Sequence, residues 1–284
     1  HAAIAREERA HGLLDDLGPL VKELGLNTNH LLPSFHDWMH YEGKLVALPA
    51  NAGAYGVLCV NAAAFARYGL ATPPANWDFD TFERLGREYV RRANADRPRL
   101  RRYFLMNPNL DVMRNSIGVS LFNESLTAPA LDDPRYVALV KRYLRWSQEE
   151  RLVPLQADLD SYAREGDNTI GTAGLLHRGE VAMMVVGRWH FASSRNLSSD
   201  VPYVAASHPD GGFANAMLTG RLMGRYRGSR QKDLTKHFFR WLLSDEYHRY
   251  IAADSDGDPS DARFLTNEAY LRPTGYTNEW AFNM

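Results

Sequence analysis

The sequence predicts an α/β protein, on three observations. Segments of strand character alternate with segments of helical periodicity along most of the 284 residues, an order that builds mainly parallel sheets covered by helices. Apolar residues make up 45% and charged residues 24%, the balance of a globular protein large enough for two ordinary lobes. Short unbroken apolar runs, at 57–60 and 181–186, read as buried strands and are far too short to cross a bilayer.

Residues 3–24 carry Leu13, Leu14, Leu17, Leu20, Val21 and Leu24 at helical spacing, with a break expected near Gly18 and Pro19. The turn Tyr41-Glu42-Gly43-Lys44 enters a strand over 45–48, which Pro49 is expected to end. A second strand covers 55–60, and Asn61 caps a short helix over 62–68. After the rigid Pro73-Pro74 link, Asp78 caps a helix to about Asn94, with Phe79, Phe82, Leu85 and Tyr89 on one face. A short strand at 103–106, a loop at 107–109 and a helix at 110–117 follow.

Asp132 or Asp133 caps a long helix over 134–150, with Pro134 in its first turn, where the missing N–H costs least. Residues 170–177 read as helix, Gly179 stops it, and 181–186 is a buried strand. Strands at 201–206 and 217–226 precede a last long helix over 233–253, with Leu234, Phe238, Trp241, Leu242 and Ile251 inward. No internal repeat or low-complexity tract interrupts this order.

A formal net charge of −1 provides no field to attract nucleic acid or an anionic membrane. Five lysines stand against twenty-eight arginines in the total of 33, a skew that reads as base-composition bias. Cys59 is the single cysteine, so the chain holds no internal disulfide and no cysteine metal cluster; within its apolar run it reads as a small buried hydrophobe. Phosphate-loop, dinucleotide, nucleophile-elbow and H-E-x-x-H motifs are absent. His36 and His40 have zinc-ligand spacing without an evident third ligand, and Asp254, Asp256 and Asp258 lack the glutamate that closes a calcium loop. Packed histidines and a solvated turn are the simpler readings.

Four segments in a fixed order carry the functional signal. They are Tyr41-Glu42-Gly43-Lys44 through Pro49, Asn51 and Asn61; Pro74-Ala75-Asn76-Trp77-Asp78 with its helix; Arg178-Gly179-Glu180-Val181-Ala182-Met183-Met184 leading to Gly187-Arg188-Trp189; and Thr219-Gly220-Arg221 followed by the amphipathic segment 236–245. Together they resemble the family 1 solute-binding proteins of ABC importers, the group that contains maltose-binding protein, over residues 13–259.

That resemblance implies a two-lobed, type II periplasmic-binding-protein fold of the maltose-binding-protein kind, with both lobes incomplete. The first lobe is expected over 1–50 and, on its return, 208–256; the second over 51–207 and 257–284. Crossings between lobes would fall near 49–55, 206–209 and 257–259. The start at His1 and the missing flanking elements suggest a fragment, so the absence of a leader segment says little about compartment. The implied protein is no enzyme and uses no metal or cofactor. It is a periplasmic or extracellular monomer, in lipid-anchored or free form, whose partners are a small sugar and the permease subunits.

A pyranose offers a rim of hydroxyls and flatter C–H patches, which ask for planar polar groups and aromatic rings. By resemblance, Asn51 stands where the family often carries a ligand-binding carboxylate or polar group, and Tyr55 stacks or packs in the hinge. Trp189 matches the family's stacking tryptophan. Asn107, Asn109, Asp111 and Arg188 lie at the ends of second-lobe strands, and Thr219, Gly220 and Arg221 on the returning first-lobe segment. Trp77 reads as structural. The competing functions are a carbohydrate-active enzyme, which needs a convergent carboxylate pair, and a ligand-sensing module for a membrane receptor.

Overall fold

Alternating apolar positions in two separate strand systems divide the chain into two lobes. The computed structural model describes residues 8, 10–96, 101–164, 171–197, 201–254 and 256–284. Much of the helix expected from residue 3, and Ile170, lie outside them. In chain order the elements begin with α1 (Gly18–Glu23), α2 (His36–Met39), β1 (His40–Tyr41), β2 (Lys44–Leu45), β3 (Leu48–Tyr55) and β4 (Val57–Asn61). Next come α3 (Ala62–Arg67), α4 (Phe79–Ala93), β5 (Tyr103–Met106), α5 (Leu110–Ser116) and α6 (Pro134–Leu144), which runs on into a π turn at Arg145–Glu149. Then follow α7 (Gln156–Arg164), α8 (Gly171–His177), β6 (Val181–Val185), α9 (Trp189–Ser194), β7 (Tyr203–Ser207) and β8 (Met217–Met223). Helices α10 (Lys232–Leu242), α11 (Asp245–Asp254), α12 (Glu268–Leu271) and α13 (Trp280–Asn283) complete the series.

The second lobe is a four-stranded sheet in the order β5-β6-β4-β7. Every residue of β5 and β6 is buried, because helices cover both faces of the sheet. Leu58 and Val60 face a core with Phe82, Phe104 and Trp146, while Cys59 between them faces Leu176, Phe191 and Tyr203. Within the first core, Glu83 accepts the Trp146 indole N–H at 2.8 Å and pairs with Arg145 and Arg142. Burial pushes its carboxyl up, but that bond and the surrounding arginines together hold it below the usual glutamate value.

The first lobe packs Leu17, Leu20, Phe35, Met39, Phe239, Leu242 and Ile251 on one face of β3, through Leu48, Ala50 and Ala52. β3 pairs antiparallel with β8 from Leu48–Met223 to Tyr55–Met217. The chain therefore leaves this lobe between β3 and β4 and returns to it between β7 and β8. Beyond α11, Ala52 bridges to Asp258 and Leu31 to Asp261, and Phe264 stacks on His248. Phe282 then packs back on the second lobe.

Caps at Asn61, Asp78 and Asp133 stand as expected, each accepting a backbone N–H of its helix's first turn. Five expectations need correction. The sheets are not mainly parallel, since only β5 with β6 runs parallel among the described strands; β4 comes straight from the first lobe and runs against both neighbours. Pro49 does not end a strand but lies in β3, next to a register shift, a place that tolerates its missing N–H. Gly18 and Pro19 begin a helix rather than break one. The last helix divides at Ser244, whose hydroxyl accepts the Tyr247 N–H and starts α11. The inward face of α10 is Phe239 and Leu242, while Leu234, Phe238 and Trp241 are 63%, 39% and 44% exposed.

Gly220 is where the two central strands touch most closely. A Cβ there would sit 2.5 Å from the Asn51 carbonyl oxygen and 2.8 Å from the Phe35 ring. Gly220→Ala should therefore part β3 from β8 and destabilise the protein by about 1–3 kcal/mol. Denaturant melts check this; an unchanged midpoint would mean that the strands separate at no cost.

Candidate functional site

The parallel strands β5 and β6 end side by side, with Met106 opposite Met184. In open α/β sheets the carboxyl ends of strands face the ligand crevice. Here they open into a cavity of about 1120 Å³. The loop after β5 contributes Asn107 and Asn109, the start of α7 Gln156, α8 Thr172, and α9 Trp189, His190 and Ser193. Among the described residues that line it, none is an aspartate, glutamate, lysine or arginine.

Asn107 adopts φ +56°, a left-handed conformation that asparagine tolerates, and is exposed to the cavity. Asn109 caps α5 with its side-chain oxygen, accepting the N–H groups of Asp111 and Val112. Its own backbone N–H donates to Nε2 of His208, whose Nδ1–H donates to the Pro209 carbonyl. That arrangement requires a neutral imidazole, and burial pulls His208 down to about 4. Burial, with a further contribution from His177, does the same to His190.

Trp189 is half-buried at the rim of this cavity and also lines a second one of about 170 Å³. The latter is made by Asn51, Gly53, Thr219, Gly220, Arg221 and Asp256 along β3, β8 and the segment after α11. A Cβ on Gly187 would lie 1.8 Å from Cζ3 of Trp189, and one on Gly53 2.9 Å from the same atom. The indole thus folds over the bare backbone of both strand systems. Asn51 is buried and engaged: its amide donates to the Asp256 carbonyl at 2.8 Å and its oxygen accepts the Arg221 N–H. Arg221 grips the Asp256 carboxylate through both terminal nitrogens.

Seven of the ten expected residues therefore fall on two cavities that Trp189 joins. Asp111 instead pairs with Arg114 one turn along α5. Arg188 is drawn away from the cleft, 2% exposed, donating to the carbonyls of Ala252, Ile251, Gly257 and Tyr270. A long cation beside four carbonyls is stabilised there, and the Tyr270 ring 4.3 Å below it completes the cage. Of Tyr55 the described structure gives the backbone, at the end of β3. His190 and His208 were not singled out by sequence, and Asp256 was weighed only as part of a calcium loop. The aspartate run 254–258 was visible, but its partner Arg221 is 35 residues away.

Two lobes crossed by strands, with cavities meeting between them, define a ligand-binding protein of the hinged class. The family of bacterial extracellular solute-binding proteins matches residues 3–260, and the chain belongs to that family. Comparison with curated proteins returns no match. Among solved structures, an ABC substrate-binding protein from Listeria monocytogenes, in complex with cycloalternan, is similar at a TM-score of 0.79 and 18% identity, over 98% of this chain and 69% of that one. An ABC transporter solute-binding protein from Thermotoga lettingae, bound with α-D-tagatose, follows at 0.74 and 16%, over 93% and 66%. A maltose-bound protein of T. maritima gives 0.73 and 16%, over 95% and 68%. The chain thus spans about two thirds of the length of these neighbours. Among its described residues no helix is long and apolar enough to cross a membrane.

The two buried histidines set a pH dependence. Unfolded, each takes a proton near 6.5; folded, each resists protonation down to about 4. Their stabilisation is complete above the unfolded value and is lost as pH falls toward the folded one, by on the order of 3 kcal/mol each. His208→Gln keeps an acceptor for the Asn109 N–H but cannot titrate. Its melting temperature should fall less steeply from pH 7 to about 4.5 than that of the parent; parallel curves would remove His208 from this account.

Proposed function

We propose that this protein captures a sugar or oligosaccharide outside the cytoplasm and delivers it to the permease subunits of an ABC importer, working as a monomer whose lobes close over the ligand. The observation that carries the reading is Trp189, a half-buried ring at the junction of an uncharged polar cavity and a second one on the opposite strand pair. Amide and hydroxyl groups match a hydroxyl rim, and the indole matches the C–H face of a sugar ring. Cycloalternan, tagatose and maltose, bound by three proteins of the same fold, are all carbohydrates.

A thermal-shift screen of the full-length protein against a sugar library identifies the ligand, since binding stabilises the folded state by about 2.7 kcal/mol at a hundredfold excess over Kd. Trp189→Ala should then weaken binding by about 2–4 kcal/mol, or roughly thirty- to several-hundred-fold in Kd by titration calorimetry. Trp189→Phe should lose less. A folded Ala variant that binds like the parent would leave Trp189 as a packing residue.

Closure follows from ligand contacts to both lobes, because a ligand shifts such an equilibrium only through differential affinity. Small-angle scattering should show a smaller radius of gyration on saturation with the identified sugar. An unchanged radius would point to a site already closed.

A further inference from the structure

The loop that follows β5 into the larger cavity does not hold its shape unaided. Asn107 is left-handed at φ +56° and stands before Pro108, whose ring favours an extended residue there. Two residues on, Asn109 is the N-cap of α5, and its side chain accepts the N–H groups of Asp111 and Val112. Its own backbone N–H lies ahead of the helix. A glutamate or glutamine three residues later would accept that N–H in a reciprocal cap, but Val112 occupies the position. The acceptor comes instead from 99 residues away, as Nε2 of His208 at 3.1 Å.

His208 begins the stretch that carries the chain from β7 back to β8. Its backbone N–H donates to the carbonyl of Gly56, the residue between β3 and β4 on the outward crossing. The same stretch follows α5 along its length: the Asn215 amide donates to the Val112 carbonyl, and the Gly211 N–H donates to the Ser116 hydroxyl. His208 is buried and its Nδ1–H is spent on the Pro209 carbonyl, which leaves Nε2 as an acceptor aimed at Asn109.

We propose that His208 is a positioning residue of the ligand site, its Nε2 fixing the loop 107–109 against the place where the two crossings meet. The inference rests on the larger cavity being the sugar site, and His208 acts there through Asn109. An aliphatic side chain at 208 would fill the space but leave the Asn109 N–H without its acceptor, and such a donor shifts toward water or another acceptor. Asn107 would then be held from the β5 side alone, and the amide it presents to the cavity would lose its place.

Heteronuclear NMR and amide hydrogen exchange on the full-length protein read the bond directly. In the parent, His208 should carry its proton on Nδ1, and the Asn109 N–H should be protected from exchange. The opposite tautomer, or exchange at the free-peptide rate, overturns the proposal without any variant. In His208→Leu the Asn109 N–H should exchange at least about tenfold faster, and calorimetry should show the best-bound of maltose, mannotriose and D-tagatose weakened by about tenfold or more. His208→Gln restores an acceptor and should recover most of both losses. Val90→Ala, in the core on α4, lowers stability alone and should bind as the parent does. A folded Leu variant that binds within about twofold of the parent, or Gln and Leu variants that are equally weak, overturns the proposal. If the parent binds none of the three sugars, the sugar reading is what fails, and tautomer and exchange still decide whether His208 holds the loop.

Discussion

A single buried cation holds the parts of this protein in their places. Arg188 stands in the loop after β6, in the second lobe, and its guanidinium reaches the last carbonyls of α11, in the first. Those carbonyls, at the C-terminal end of a helix, carry partial negative charge, which favours a cation. The shortest contact, 2.6 Å to Ala252, is of charge-assisted length. Further bonds to Gly257 and Tyr270 gather the segment that follows α11 around the same side chain. Burial alone would make a cation costly here. Burial wins in part, pulling the guanidinium below its usual value, while Tyr270, Asp258 and Glu279 oppose that shift and the carbonyls take up its N–H groups.

This fixture decides where Trp189 can point. The side chain of its neighbour is tied to the first lobe, and the indole lies against Gly53 of β3. Asn51, two residues before that glycine, is bound in turn to the Asp256 carbonyl and the Arg221 N–H. The crossing segments and the site are therefore one hydrogen-bonded structure. A rotation that separated Arg188 from α11 would strand a buried cation, an expensive event.

Local signals in the sequence were read well because they act locally. Asn61, Asp78 and Asp133 each bond to N–H groups two or three residues away, so their caps follow from side-chain type alone. The burial of β6 follows from its apolar run. Strand direction did not follow, because β4 pairs with residues more than a hundred positions away and its sense is set by the crossing that precedes it. The face of α10 was misread because Phe238 and Phe239 are adjacent, and periodicity does not choose between them without the partner surface. Arg188 and Trp189 were placed together at the site by motif, yet adjacent side chains at a helix start diverge. One went to a cage of carbonyls and one to the rim.

The same divergence leaves Trp189 between the two cavities. In this structure Trp189 already touches both lobes, through its own helix and through Gly53, before any ligand is counted. A ring held over two glycines has little freedom left to lose, so stacking a ligand on it costs less ordering entropy than recruiting a mobile side chain. Polar groups of both strand systems line the two cavities: Asn107, Thr172 and Ser193 in the larger, Thr219 and Arg221 in the smaller. Trp189 lines both cavities, so the position of one ring shapes the two at once.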